Sequence, residues 1–97
     1  MTAGITPRQI IARIAAEHGV SPADIAGKVR TARIVAARFA AIHAVKEAKP
    51  AYSLTQIANH FGHRHHTTIL HALRKVESDG VPLPPAALTS SHSGAAP

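Results

Sequence analysis

An all-α domain is the fold this chain predicts, on three observations. Apolar residues recur at helical spacing in segment after segment, and hydroxyl and proline residues stand where helices would begin. No stretch alternates apolar and polar residues as a half-buried strand does. The expected organisation is a short lead over residues 1–5, a compact helical domain over residues 6–78 and a flexible tail over residues 79–97.

Thr6-Pro7-Arg8-Gln9 has the form of a capping box with proline at the first helical position: the hydroxyl accepts from the amide three residues on while the glutamine side chain reaches back. Ile10, Ile11, Ile14 and Ala15 follow on one stripe, and Gly19 is placed to stop this first helix after about His18. Ser21-Pro22-Ala23-Asp24 opens a second helix with a hydroxyl cap, a proline and an early carboxylate, which Gly27 is expected to keep short. A basic connection follows, Lys28-Val29-Arg30-Thr31-Ala32-Arg33. An alanine-rich third helix is expected over residues 34–48, with Ile34, Ala37, Ala41, Val45 and Ala48 on its inner stripe and Pro50 ending it. It is the longest of the series and therefore the expected scaffold. Ser53-Leu54-Thr55-Gln56 is a second capping box, opening a two-turn helix whose stripe is Leu54, Ile57, Ala58 and Phe61. After a turn at Gly62 the last helix is expected to bury Ile69, Leu70, Leu73 and Val76 and to show His66, Thr67, Arg74 and Lys75 on its other face. Beyond Asp79-Gly80 the composition shifts to Pro, Ala, Ser and Gly, with too few large apolar residues to offset the entropy of ordering.

Composition narrows the function. With 97 residues the chain supports one small domain, too short for a nucleotide-hydrolysing module beside it. Eleven Lys and Arg against five acids leave a formal charge of +6, which favours a polyanionic partner, and eight histidines add charge at mildly acid pH. Aromatic residues make up only 3%, so the stacking platforms used on single strands and splayed RNA bases are largely missing and duplex DNA is the better expectation. Cysteine is absent, which excludes disulfides, thiolate nucleophiles and Cys-based zinc sites. The longest apolar stretch is broken by Arg38, His43, Lys46 and Glu47, so no membrane association is expected, and the location expected is the cytoplasm, on the nucleoid. Five histidines crowd residues 60–71, but His66 and His71 are five apart and no Cys or carboxylate lies nearby to complete a tetrahedral set; neither a metal nor any other cofactor is expected. The carboxylates Glu17, Asp24, Glu47, Glu77 and Asp79 are accounted for by helix ends and exposed faces, so neither an enzyme nor a small-molecule substrate is expected.

The stretch that carries most information is Phe61-Gly62-His63-Arg64-His65-His66-Thr67-Thr68-Ile69-Leu70-His71-Ala72, a glycine turn followed by basic and hydroxyl residues that open an amphipathic helix. That is the layout of a helix-turn-helix recognition element, whose N-terminal residues read base edges in the major groove. The stretch resembles the signature of the C-terminal DNA-binding domain of DnaA, the bacterial replication initiator, which reads close to F-G-G-R-D-H-T-T-V-L-H-A; nine of those twelve types are kept, with Ile for Val a mild change. The resemblance extends over about residues 8–78, without a gap from Asp24 to Arg38, and with one extra residue near Lys49 to Tyr52.

The resemblance implies a Trp-repressor-like helix-turn-helix and a set of contacts. Arg30 matches the family's minor-groove arginine, and His66 and Thr67 match residues that face bases in the major groove. Arg38, Lys46, Arg64, Thr68 and Lys75, with the backbone of Leu54, match positions that grip phosphates. His65 stands where the family has an aspartate able to accept from cytosine, so the preferred sequence is expected to differ from the initiator's box. Phe39 replaces a glutamine, and Ala32 and Ala36 replace basic residues, which is expected to weaken phosphate affinity. A domain of this kind without the initiator's ATPase module resembles small regulators of phages and gene-transfer-agent clusters. Transcriptional regulation is thus the first expectation, and modulation of replication initiation by occupying initiator boxes the second. The rival from another class is a protein-interaction adaptor that binds RNA polymerase or another regulatory protein, including the initiator itself.

Overall fold

The computed structural model describes residues 5–82, and within them the chain forms five helices and no strand. They are α1 (Pro7–His18), α2 (Pro22–Ala26), α3 (Ala32–Ala48), α4 (Leu54–Asn59) and α5 (His66–Asp79). Residues 1–4 of the expected lead over residues 1–5, and the part of the expected tail over residues 79–97 that follows Pro82, lie outside the described residues.

Three of the five helices start as the sequence chemistry dictates. Thr6 Oγ1 accepts from the Gln9 amide at 3.2 Å while Gln9 Oε1 accepts from the Thr6 amide at 2.9 Å. Ser53 and Gln56 repeat the arrangement at 3.1 and 2.7 Å, and Ser21 and Asp24 form a third box, with the Asp24 carboxylate as the returning acceptor. Gly19 ends α1 in the left-handed conformation, φ 71°, and its amide closes back on Ala15 and Ala16 carbonyls.

The third helix departs from expectation at its start and in its burial, and ends at Ala48 as expected. It begins at Ala32 rather than Ile34, after Thr31, which makes no side-chain cap bond. Ala37, Ala41 and Val45 are buried as predicted, whereas Ile34 is half-buried and Ala48 exposed. The inner surface is wider than one stripe, because Ala40 and Ile42 are buried too. The reason is tertiary: α3 contacts all four other helices, so more than one of its faces is covered. Small alanines let those neighbours approach closely, and Ile10, Ile14, Ile25, Ile57, Phe61 and Ile69 fill the space around it. In α5 the buried residues are Ile69, Ala72 and Val76, while Leu70 and Leu73 are only half-buried. Ala72 lies three residues after Ile69 and four before Val76, so the same helical face buries all three and turns Leu70 and Leu73 to its margins.

Candidate nucleic-acid interface

The segment between α4 and α5 is held by its backbone. His60 closes α4, Phe61 turns inward to become fully buried, and Gly62 and His63 follow with φ of 78° and 58°. At Gly62 the conformation and the space both demand glycine: a Cβ there would lie 2.2 Å from the carbonyl oxygen of Ala26. His63 occupies the second glycine position of the signature and adopts the left-handed region as a non-glycine residue. The Arg64 amide then donates to the Ala58 carbonyl at 3.3 Å, which locks α5 against α4.

His65 is the N-cap of α5. Its Nδ1 receives the Thr67 amide at 3.2 Å and lies 2.7 Å from the Thr67 hydroxyl oxygen. Its ring stacks on that of His66, centroids 4.4 Å apart. His65, His66, Thr67 and Thr68 are all exposed on the first turn of α5, so this helix presents a polar, solvent-facing N-terminus.

Two arginines converge on the C-terminal end of α2, where the Gly27 amide closes on the Asp24 carbonyl and the carbonyls that follow find no amide within so short a helix. Arg38 is only 6% exposed; its Nε donates to Ile25 O at 2.7 Å, and its Nη2 reaches the carbonyls of Asp24, Gly27 and Val29 at 3.0 to 3.1 Å. Arg64 comes from the other side, donating through Nη1 to the carbonyls of Ala26 and Phe61 and through Nη2 to that of Gly27. Gly27 itself is extended, φ −87°, so α2 is ended by these outside donors rather than by a left-handed glycine. Arg38 was expected as a phosphate contact. The fold directs most of its donors inward, because the orphan carbonyls of α2 lie nearer than solvent. Burial first, then the nearby Arg64 and Arg30 cations, hold the Arg38 guanidinium below its usual range, and burial does the same to Arg64. Both remain cations, since guanidinium groups keep their protons in proteins.

These residues border one cleft of about 500 Å³, lined by Lys28, Arg30, Val35, Arg38, Phe39, Arg64, Thr68 and His71. It brings together Arg30, Arg38, Arg64 and Thr68 of the expected set. Arg30 is exposed in the loop before α3, and the first turn of α5 flanks the same cleft. Lys46 is elsewhere: it lines a second groove with His43 and Val76, and its Nζ donates to the carbonyls of Pro50 and Tyr52, both at 3.1 Å. Lys75 is paired with Asp79 at 2.8 Å on the exposed face of α5; the bond and the charge of Asp79 raise its pKa, and the same contacts lower that of Asp79. The Leu54 amide lies at the N-terminus of α4, where the capping box engages the Gln56 amide instead. Sequence reasoning had assigned no direct role to Lys28, Val35, Phe39 or His71 as cleft residues; the i, i+3 step from Thr68 to His71 was the available signal. Among the described residues no group of three or more His, Asp or Glu is placed to hold a metal, and no helix is long and apolar enough to cross a membrane.

A short helix, α4, a left-handed turn and a second helix, α5, with an exposed polar start beside a basic loop define a helix-turn-helix domain, a DNA-binding architecture. The chain belongs to the bacterial dnaA protein helix-turn-helix family, whose profile matches residues 7–76. It is 38% identical over 71 residues to the chromosomal replication initiator protein DnaA of Thermus thermophilus, a match covering 73% of this chain and 16% of that protein. It is 46% identical over 68 residues to the DnaA of Brucella abortus, covering 69% and 14%, and 40% identical over 65 residues to that of Limosilactobacillus fermentum, covering 67% and 15%. The chain therefore corresponds to a small part of these relatives. No solved structure matches it.

Proposed function

We propose that this chain binds double-stranded DNA at specific sequences and regulates transcription. The observation that carries the reading is the single cleft that sets Arg30 of the basic loop beside the first turn of α5. With α5 in the major groove, Arg30 reaches the adjacent minor groove and senses its width and A·T content. His65, His66 and Thr67 face base edges, the Thr67 methyl suiting a thymine methyl. Arg64, Thr68, Lys46, Lys75, the Leu54 amide and the remaining donors of Arg38 contact phosphates and set the docking register. A polyanion also relieves the mutual repulsion of Arg30, Arg38 and Arg64, which no carboxylate among the cleft-lining residues offsets.

A second reading, occupation of initiator boxes to modulate replication, is favoured by the His66-Thr67-Thr68 run shared with the family signature. One experiment separates these from a protein-interaction role. Fluorescence anisotropy is measured on an initiator box, a scrambled duplex and a duplex selected from a random pool, at several salt concentrations, with Arg30→Ala and Thr67→Ala alongside. For about five neutralised phosphates the log–log slope of affinity against salt is expected near −4 to −5. Preference for the selected site, lost in both variants, supports a regulator with its own site; preference for the initiator box supports the replication reading. A flat salt response with no preference among the duplexes would overturn both and point to a protein partner. Where selected sites fall upstream of genes, a promoter fusion reports the sign of regulation.

A further inference from the structure

The hydrogen-bonding face that His65 turns outward follows from its role as a cap. The Thr67 amide hydrogen points at Nδ1 from 3.2 Å, so Nδ1 must offer a lone pair there; an N–H at that position would oppose another N–H at the positive end of a helix. The Thr67 hydroxyl, 2.7 Å from the same nitrogen, then donates to it as well. This assigns the proton of the neutral ring to Nε2. Among the described residues Nε2 has no protein partner, and His65 is exposed. Stacking on His66 at 4.4 Å and the tether to Thr67 hold the ring plane, so the Nε2–H has a set direction rather than a free sweep. Thr67, having turned its own proton toward His65, presents only oxygen lone pairs and its methyl.

We infer that His65 is a specificity-determining residue that acts as a hydrogen-bond donor through Nε2 and selects a base with a major-groove acceptor, guanine above all, while rejecting cytosine. Guanine offers both N7 and O6 to a single donor, adenine and thymine one acceptor each, and cytosine only its N4 amino donor. A carboxylate at this position would invert the preference, accepting from cytosine N4. The inference rests on the proposed docking of α5 in the major groove, but its first half, the tautomer, is independent of DNA.

The test has two arms, both on the full chain. Imidazole ¹⁵N correlation spectra of the free protein, with His65 assigned by its loss in His65→Asn, are expected to show a protonated Nε2 and an unprotonated Nδ1 whose resonance moves in Thr67→Val. A protonated Nδ1 in the neutral ring overturns the inference. Binding-site selection from random duplexes is then run with the natural chain, His65→Asp and His65→Asn; both substitutions are good N-caps, so α5 keeps its start. One base pair is expected to change while the flanking preferences persist. The natural chain takes guanine there, His65→Asp takes cytosine and His65→Asn takes adenine, with about tenfold to hundredfold discrimination against the wrong base. An unchanged column across the three, or cytosine chosen by the natural chain, overturns the donor assignment while leaving DNA binding intact. No enrichment by any of the three overturns the DNA reading and the base assignment with it, and the tautomer spectrum still reports on the cap alone.

Discussion

Arg30 and Arg38 share a cleft but not a task. Arg38 is buried with its donors on four backbone carbonyls, so truncation leaves acceptors without partners and loosens the loop that carries Arg30. Arg38→Ala is expected to cost at least about 2 kcal/mol in urea denaturation, since orphaned polar groups are costly when sequestered. Lysine is a poor substitute, because one ammonium cannot reproduce a planar fork that reaches several oxygens. Arg30 is exposed, and no protein partner holds it among the described residues. Arg30→Ala is expected to leave the urea midpoint unchanged within about 0.5 kcal/mol, while duplex affinity falls about tenfold in anisotropy titrations. If the two variants behaved alike in both measurements, the division between an organising and a contacting arginine would be wrong.

At the scale of elements, the turn between α4 and α5 is where local conformation and long-range packing meet. Gly62 has positive φ and lies against Ala26, so Gly62→Ala combines backbone strain of roughly 1–3 kcal/mol with a clash against the carbonyl of a different helix. Its urea midpoint is expected to drop accordingly, and a wild-type midpoint would mean the turn can be rebuilt. His63 makes the opposite case: it is left-handed without being glycine, so His63→Gly is expected to be neutral or stabilising by up to about 1 kcal/mol in the same measurement. The short α2 depends on the same region, because Arg64 and Arg38 satisfy the carbonyls at its end. Turn, α2 and basic loop are therefore expected to loosen together, which amide exchange in Gly62→Ala reads as lowered protection from Ile25 through Arg30.

For the whole molecule, pH dependence turns on a residue outside the cleft. His18, at the end of α1, is only 2% exposed, and burial lowers its pKa from the ordinary value of 6.5, partly opposed by Glu17. The folded chain thus binds fewer protons there than the unfolded chain does. The contribution of neutral His18 is complete above that ordinary value and is lost as pH falls through it towards the lower folded value. Urea midpoints from about pH 7.5 down to pH 5 are expected to fall, and His18→Gln to flatten part of that slope; parallel curves for the two proteins would remove His18 as the cause.

Helix number, the capping boxes at Thr6 and Ser53, the glycine turn and the exposed polar start of α5 were legible in the sequence, because each depends on residues within one helical turn of one another. The spread of burial around α3 was not, since it depends on how many neighbours surround that helix. Neither was the inward turn of Arg38: its partners lie nine to fourteen residues away, and those of Arg64 up to thirty-eight. Sequence alone determined which histidine and threonine side chains stand at the start of α5, and where along the chain that helix begins. Only the tertiary structure decided which cations stay exposed at the cleft and which turn inward, because the orphan carbonyls of a distant helix compete with any ligand for the same donors.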